Sequence, residues 1–286
     1  MPQNTRDIRR RIKSVQNTAQ ITKAMEMVAA AKLRRVQEAV QLSKPYLQKL
    51  QEMLADLAPS VRSVKHPMLA ARPVRKTGYL VVTSDRGLAG PYNSNVIRKA
   101  LQEFRDKDKD TYTVFAVGRK GRDFFRRMNY PLGGEAVGLS DAPTYGLIKP
   151  LAEQVIEAYA SEQFDELYLV YNEFINAVTQ QTVVKKVLPL TDLAGDREPR
   201  RVNFIFEPDE QALLAKLLPR YAETLVFQSV LDAKASEHGS RMTAMGNATD
   251  AAKDMIGTLT LTLNRARQAA ITTQIAEVVG GAEALK

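Results

Sequence analysis

The chain has 286 residues, 44% of them hydrophobic, enough for one large or two modest domains. It has no Cys and no Trp, which excludes a disulfide framework and a thiolate nucleophile and fits a reducing compartment. A formal net charge of +9 fits nucleic acid, an anionic membrane surface or an acidic protein partner, and does not choose among them.

Residues 3 to 57 hold no glycine and one proline, Pro45, which is expected to bend or end a helix. Ile8, Ile12, Val15 and Ala19, then Ala29, Leu33, Val36, Val40, Leu47, Leu50, Leu54 and Leu57 recur at helical spacing. Thr22 and Glu26 fall on the seam between these groups. The register is therefore expected to slip there, with Ile21, Met25 and Val28 forming a stripe rotated round the helix. The N-terminus lacks the apolar core of a secretory signal, and no apolar run approaches the roughly 20 residues of a membrane span. The expectation is a soluble or peripheral chain.

From about 76 to 205 the texture changes. Residues 78–83, 112–117, 167–171 and 182–188 are β-branched and aromatic runs. Helical stretches near 92–105, 119–128 and 145–161 separate the first three. Such alternation predicts a mostly parallel sheet with helices on its faces. The last two strands are too close for a crossover helix and are expected to pair antiparallel.

From 209 to 286 the chain reads as a second long helix, with Asp209 as its cap and Pro219 as an early kink. Over residues 220–280 it would span roughly 90 Å at 1.5 Å per residue. Tyr221, Leu225, Met242, Met245, Ala252, Ile256, Leu259, Leu263, Ala266 and Ala270 mark its seam, which shifts near the end to Ile271, Ile275, Val278 and Ala282. Two such helices flanking one α/β domain should pair antiparallel, Val36 facing the stretch between Met242 and Leu259. The resulting division is a long helix over 1–57, a linker over 58–75, a Rossmann-like α/β domain over 76–205 and a long helix over 209–286.

Catalytic signals are sparse. The two histidines, His66 and His238, have no metal-ligand neighbours in sequence, and no phosphate-loop or dinucleotide glycine motif appears. The turn Thr83-Ser84-Asp85-Arg86-Gly87-Leu88-Ala89-Gly90 follows the first strand, where an α/β domain can hold a phosphate. Its glycine spacing is wrong for that, and a strand-to-helix turn is the preferred reading. No cofactor or metal site is expected. The basic clusters Arg9-Arg10-Arg11-Ile12-Lys13 and Lys32-Leu33-Arg34-Arg35 suit a solvated face, nucleic acid or an acidic protein surface. Met25, Met27, Met242 and Met245 lie at helical spacing and suit a core.

Residues 12–32, IKSVQNTAQITKAMEMVAAAK, resemble the N-terminal signature of gamma subunits of rotary F-type ATP synthases. Ser236-Glu237-His238, Arg241-Met242-Thr243-Ala244-Met245 and Asn264-Arg265-Ala266-Arg267-Gln268-Ala269-Ala270-Ile271-Thr272 resemble the C-terminal signature, and the turn at 83–90 resembles the family's own. The likeness spans the chain, departing at Leu263, where the family often has Tyr, and at Gln274, where it often has Glu. The resemblance implies a rod of two antiparallel helices with an inserted Rossmann-like domain, serving as a non-catalytic rotor shaft. It implies one copy within three alpha and three beta subunits, standing on an epsilon subunit and a membrane ring of c subunits. Absence of a transit peptide fits a bacterial form, at the cytoplasmic face of the plasma membrane, with no nucleic acid bound. The matching contact positions are Arg267, Gln268 and Thr272, with Arg9, Arg10, Lys13, Met25 and Arg241 as further candidates. Ile271, Ile275, Val278 and Val279 would form an apolar bearing at the tip. Two alternatives remain: a coiled-coil nucleic-acid-associated protein, and a nucleotide-binding enzyme built on the α/β domain.

Overall fold

A computed structural model describes residues 5–61, 66–191 and 209–283, the side chains of 58–61, 210 and 283 excepted. The sequence boundaries at 62–65, the end of the α/β segment at 192–205 and the last three residues lie outside the described residues. The elements are α1 (Thr5–Val61), β1 (Thr77–Val82), α2 (Tyr92–Phe104), β2 (Tyr112–Val117), α3 (Arg119–Arg127), β3 (Leu132–Ala136), α4 (Tyr145–Ala160), β4 (Glu166–Phe174), β5 (Gln180–Leu188) and α5 (Glu210–Glu283). They fall into two compact units, one of residues 29–241 and one of residues 1–28 with 242–286.

In the larger unit the strands form one sheet in the order β3-β2-β1-β4-β5. The first four are parallel, and β5 pairs antiparallel with β4 across the short connection. This is a Rossmann-like order. The sequence did not signal β3, Leu-Gly-Gly-Glu-Ala, which lacks a β-branched residue. Its glycines are spatial requirements: a Cβ at Gly133 would lie 2.7 Å from Thr113 Oγ1, and one at Gly134 3.0 Å from the Phe115 ring.

Strand residues alternate between two apolar layers. Tyr79, Val81, Val114, Ala116 and Val170 meet the stripe Val96, Ala100 and Phe104 of α2 and Phe125 of α3. Leu80, Val82, Phe115, Val117 and Leu169 face the other way, onto Ile148, Leu151 and Val155 of α4. The same layer takes in Leu54 and Leu57 of α1 and Leu214, Leu218, Ala222, Val226 and Val230 of α5. Each such buried side chain contributes about 1.5–3 kcal/mol.

That shared layer explains why two prolines fail to end their helices. α1 continues through Pro45 to Val61, and α5 runs through Pro219. Leu50, Leu54 and Leu57 are buried beyond Pro45, and Leu214, Leu218 and Ala222 are buried on either side of Pro219. Packing of an apolar face supplies most helical stability in a protein and outweighs one lost backbone bond.

Within this unit α1 and α5 run antiparallel. Ser43 donates to Gln228 at 2.7 Å, and Gln51 donates to the Tyr221 hydroxyl at 3.2 Å, so a step forward on one helix is a step back on the other. Seven residues before Ser43 is Val36, and seven after Gln228 is Ala235; both have 0% exposure. By this register Val36 is level with Ala235, and not with the 242–259 stretch expected from sequence.

In the smaller unit the helices are again antiparallel, Thr22 meeting Thr249 and Glu26 lying beside Gly246. The expected slip of register does not occur. Thr22 stays on the seam, buried, its hydroxyl 2.8 Å from that of Thr249. Ile21 and Val28 are 60% and 53% exposed instead. Two hydroxyls that meet each other and the Ala19 and Met245 carbonyls of their own helices can occupy an apolar seam, which composition alone does not reveal.

Candidate functional site

In an open α/β sheet a ligand enters at the carboxyl ends of the strands, where the strand order reverses. Here that point lies between β1 and β4, beneath the turn from Thr83 to Pro91. Thr83 is locked to the next crossover: its hydroxyl donates to the Val117 carbonyl and accepts from the Gly121 amide, each at 2.8 Å. Gly118, at φ 86°, allows this approach, since a Cβ there would lie 2.3 Å from the Thr83 carbonyl oxygen.

Asp85 then takes the place of a bound anion. Its carboxylate accepts from the amide of Arg119, the first residue of α3, and from the Gly138 amide, both at 3.1 Å. A helix N-terminus is a natural anion site, and the chain fills this one with its own carboxylate.

Helix α5 covers the rest of the turn. Ser240 donates to the Ala89 carbonyl at 2.7 Å and Arg241 to that of Gly87 at 3.3 Å. Tyr92 reaches back to donate to the Ala233 carbonyl at 3.0 Å, and Asn172, on β4, donates to the Tyr92 carbonyl at 3.2 Å. Burial pushes the Tyr92 hydroxyl well above the ordinary tyrosine range. The switch point of the sheet is thus packed with protein side chains.

The covering stretch of α5 carries buried charge. Glu237 is held between Lys234 at 3.2 Å and Arg241 at 2.8 Å. His238, 1% exposed, places Nε2 3.6 Å from Asp141, beyond hydrogen-bond reach, and Lys32 of α1 binds the other oxygen of Asp141 at 2.8 Å. Burial lowers the His238 pKa, outweighing the nearby Glu237 and Asp141, so the ring is neutral at pH 7. Burial raises Asp141, but Lys32, His238 and Lys234 outweigh it and hold that carboxyl below its ordinary value. Arg241 differs from the predicted contact residues on the exposed end of α5 in being half-buried and held by Glu237 and the Gly87 carbonyl.

The smaller unit holds the rest of them. Its α5 seam is last half-buried at Ala266, and every residue from Arg267 to Ala282 is exposed. On this stretch lie Arg267, Gln268, Ile271, Thr272, Ile275, Val278 and Val279, with Glu277 the one charge after Arg267. The four apolar side chains are 44–72% exposed. Thr272 donates to the Gln268 backbone carbonyl at 3.0 Å, leaving the Gln268 amide outward. Arg9 and Lys13 are exposed, Met25 is half-buried, and Arg10 pairs with Asp7 at 2.8 Å on the surface. No helix among the described residues is long and apolar enough to cross a membrane.

A family model described as ATP synthase matches residues 4–285. Two curated relatives are named ATP synthase gamma chain, from Brevibacillus brevis at 54% identity and Desulfitobacterium hafniense at 52%. Each alignment covers 99% of this chain and 99% of the relative. The chain belongs to the ATP synthase gamma chain family. Among solved structures, a chain of the Tetrahymena thermophila mitochondrial ATP synthase central stalk and c-ring shares 26% identity at a TM-score of 0.64, over 80% of this chain and 99% of that one. A chain of the Euglena gracilis mitochondrial ATP synthase rotor agrees in fold, at 20% identity and a TM-score of 0.69, over 93% and 98%. Nothing found supports the nucleic-acid alternative.

Proposed function

We propose that this gamma chain is the non-catalytic rotor shaft of a bacterial proton-translocating ATP synthase, at the cytoplasmic face of the plasma membrane. Its partners are three alpha and three beta subunits around one copy of the chain, an epsilon subunit and the membrane ring of c subunits. The observation that carries this reading is the exposed end of α5, sixteen residues in a row. Exposed apolar surface on this scale marks an interaction site. An end that must turn inside a ring needs contact that slides, and Ile271, Ile275, Val278 and Val279 offer apolar surface with a single carboxylate among them. Arg267, Gln268 and Thr272, just below, supply polar groups for catalytic loops to push against. Arg9, Arg10, Lys13 and Met25 are further contacts on the N-terminal helix, and Arg241 acts from within by holding the turn at Gly87. The filled turn after β1 supports the non-catalytic role: Asp85, the Ser84 carbonyl and the Thr83 hydroxyl accept from the first three amides of α3, and Ser240 and Arg241 cap the turn. Single-molecule observation tests the proposal. With the alpha and beta subunits fixed to a surface and a bead on an engineered cysteine at Val178, ATP should drive continuous rotation of the bead. A bead that stays still while ATP is hydrolysed would overturn it.

A further inference from the structure

Helices α2 and α3 lie side by side on one face of the sheet and leave between them a groove of about 650 Å³. Ile97, Leu101 and Phe124 form its half-buried floor, and Arg98, Lys120 and Arg127 line its walls. The other α3 cations are satisfied: Arg119 by Asp85, Arg122 by Asp123, and Arg126 by Glu135. Asp123, the groove's own carboxylate, is held by Arg122 at 2.8 Å. Arg98, Lys120 and Arg127 have no carboxylate partner among the described residues. The groove is thus an apolar floor walled by three uncompensated positive charges.

We propose that this groove is a docking site for an acidic amphipathic helix of a partner protein. Complementarity selects the occupant: an apolar stripe matches the floor, and flanking Glu or Asp side chains match Arg98, Lys120 and Arg127. From Ser94 to Leu101 the groove runs roughly 10 Å along α2, the length of about two helical turns. Two arginines suit this task, because the guanidinium fork meets a carboxylate in two parallel hydrogen bonds.

The test uses the full chain and a fluorescent synthetic peptide bearing Leu at i, i+3, i+4 and i+7 with Glu elsewhere. Saturable one-to-one binding is expected, weakened at least about tenfold by Arg98→Glu with Arg127→Glu. Leu101→Asp should weaken it similarly, while Lys99→Glu, on α2 but off the groove lining, should leave it unchanged. Circular dichroism confirms that each variant is folded, and Arg127→Ala serves if the double reversal is not. Four results would overturn the proposal. They are no binding, equal binding of a scrambled peptide of the same composition, equal loss on Lys99→Glu, and stronger capture by phosphatidylglycerol vesicles or ATP that the same reversals abolish.

Discussion

Ser240 on α5 donates a 2.7 Å hydrogen bond to the carbonyl of Ala89, 151 residues earlier in the chain. Through this bond the last helix closes the turn where an α/β sheet of this order takes its ligand. The turn needs the help, because Leu88 and Gly90 both stand at positive φ. Ser240→Ala leaves the Ala89 carbonyl with the Tyr92 amide as its remaining donor, and the full chain should lose about 0.5–1.5 kcal/mol in denaturant unfolding. Calorimetry with ATP should give no saturable heat for either the parent or the variant, since Asp85 still fills the α3 N-terminus. A micromolar site in the parent would show that the switch point is open.

Asp232 supplies a pH dependence. It lines a small cavity of about 160 Å³ with Gln51, Tyr171, Lys185 and Gln228. Burial, then the neighbouring Glu173, push its carboxyl up to about 6, against the pull of Gln228, Lys44 and Lys185. A folded pKa above the unfolded value of roughly 3.9 means that the native state holds this proton more tightly. The stability linked to that proton is fully present below about pH 4 and is lost as the pH rises to about 6. Asp232→Asn keeps the shape without the charge. It should stabilise the chain by about 1–3 kcal/mol at pH 8 and much less at pH 4. Melting curves at the two pH values decide this, and an equal gain at both would refute it.

The polar pair on the α1–α5 seam of the smaller unit calls for a double-mutant cycle. Thr22→Val or Thr249→Val alone leaves a hydroxyl that has lost its cross-helix partner, while both together replace the pair with matched apolar groups. A coupling energy of about 1 kcal/mol is expected from unfolding of the full chain. Strict additivity would show that the 2.8 Å contact carries no energy.

This pair also marks where the sequence stopped being readable. Strands β1, β2, β4 and β5 were legible because β-branched and aromatic runs sat between helical stretches, and the antiparallel edge followed from a short connection. The third strand was not, since Gly133 and Gly134 are there to admit Thr113 and Phe115 rather than for any strand preference. Thr22 read as a break in the seam because its cross-helix partner, Thr249, is 227 residues away. Distance in sequence also hid the meeting of Lys32 on α1 with Asp141, in the loop before α4, beside His238 on α5. The low charge of residues 268–282 was legible, with Glu277 alone among fifteen residues, but periodicity carried the seam on through Ala270 and Ala282, where no described residue covers the helix.

For the basic N-terminal helix, Arg9→Gln with Arg10→Gln should leave the complex assembled and change its ATP hydrolysis rate. Arg10 gives up only an exposed pair with Asp7, worth about 0–1 kcal/mol. Loss of assembly would make the two arginines structural. A rate unchanged at both low and high salt would make them solvent-facing charges without a contact.

The central claim is that one copy of this chain sits inside a ring, held by the exposed end of α5. Native mass spectrometry of the chain co-expressed with bacterial alpha and beta subunits measures this directly. The account predicts a complex of three alpha, three beta and one copy of this chain, weakened when Ile271, Ile275 and Val278 are changed together to Asp. A chain that remains free, or a complex indifferent to those three substitutions, would contradict it.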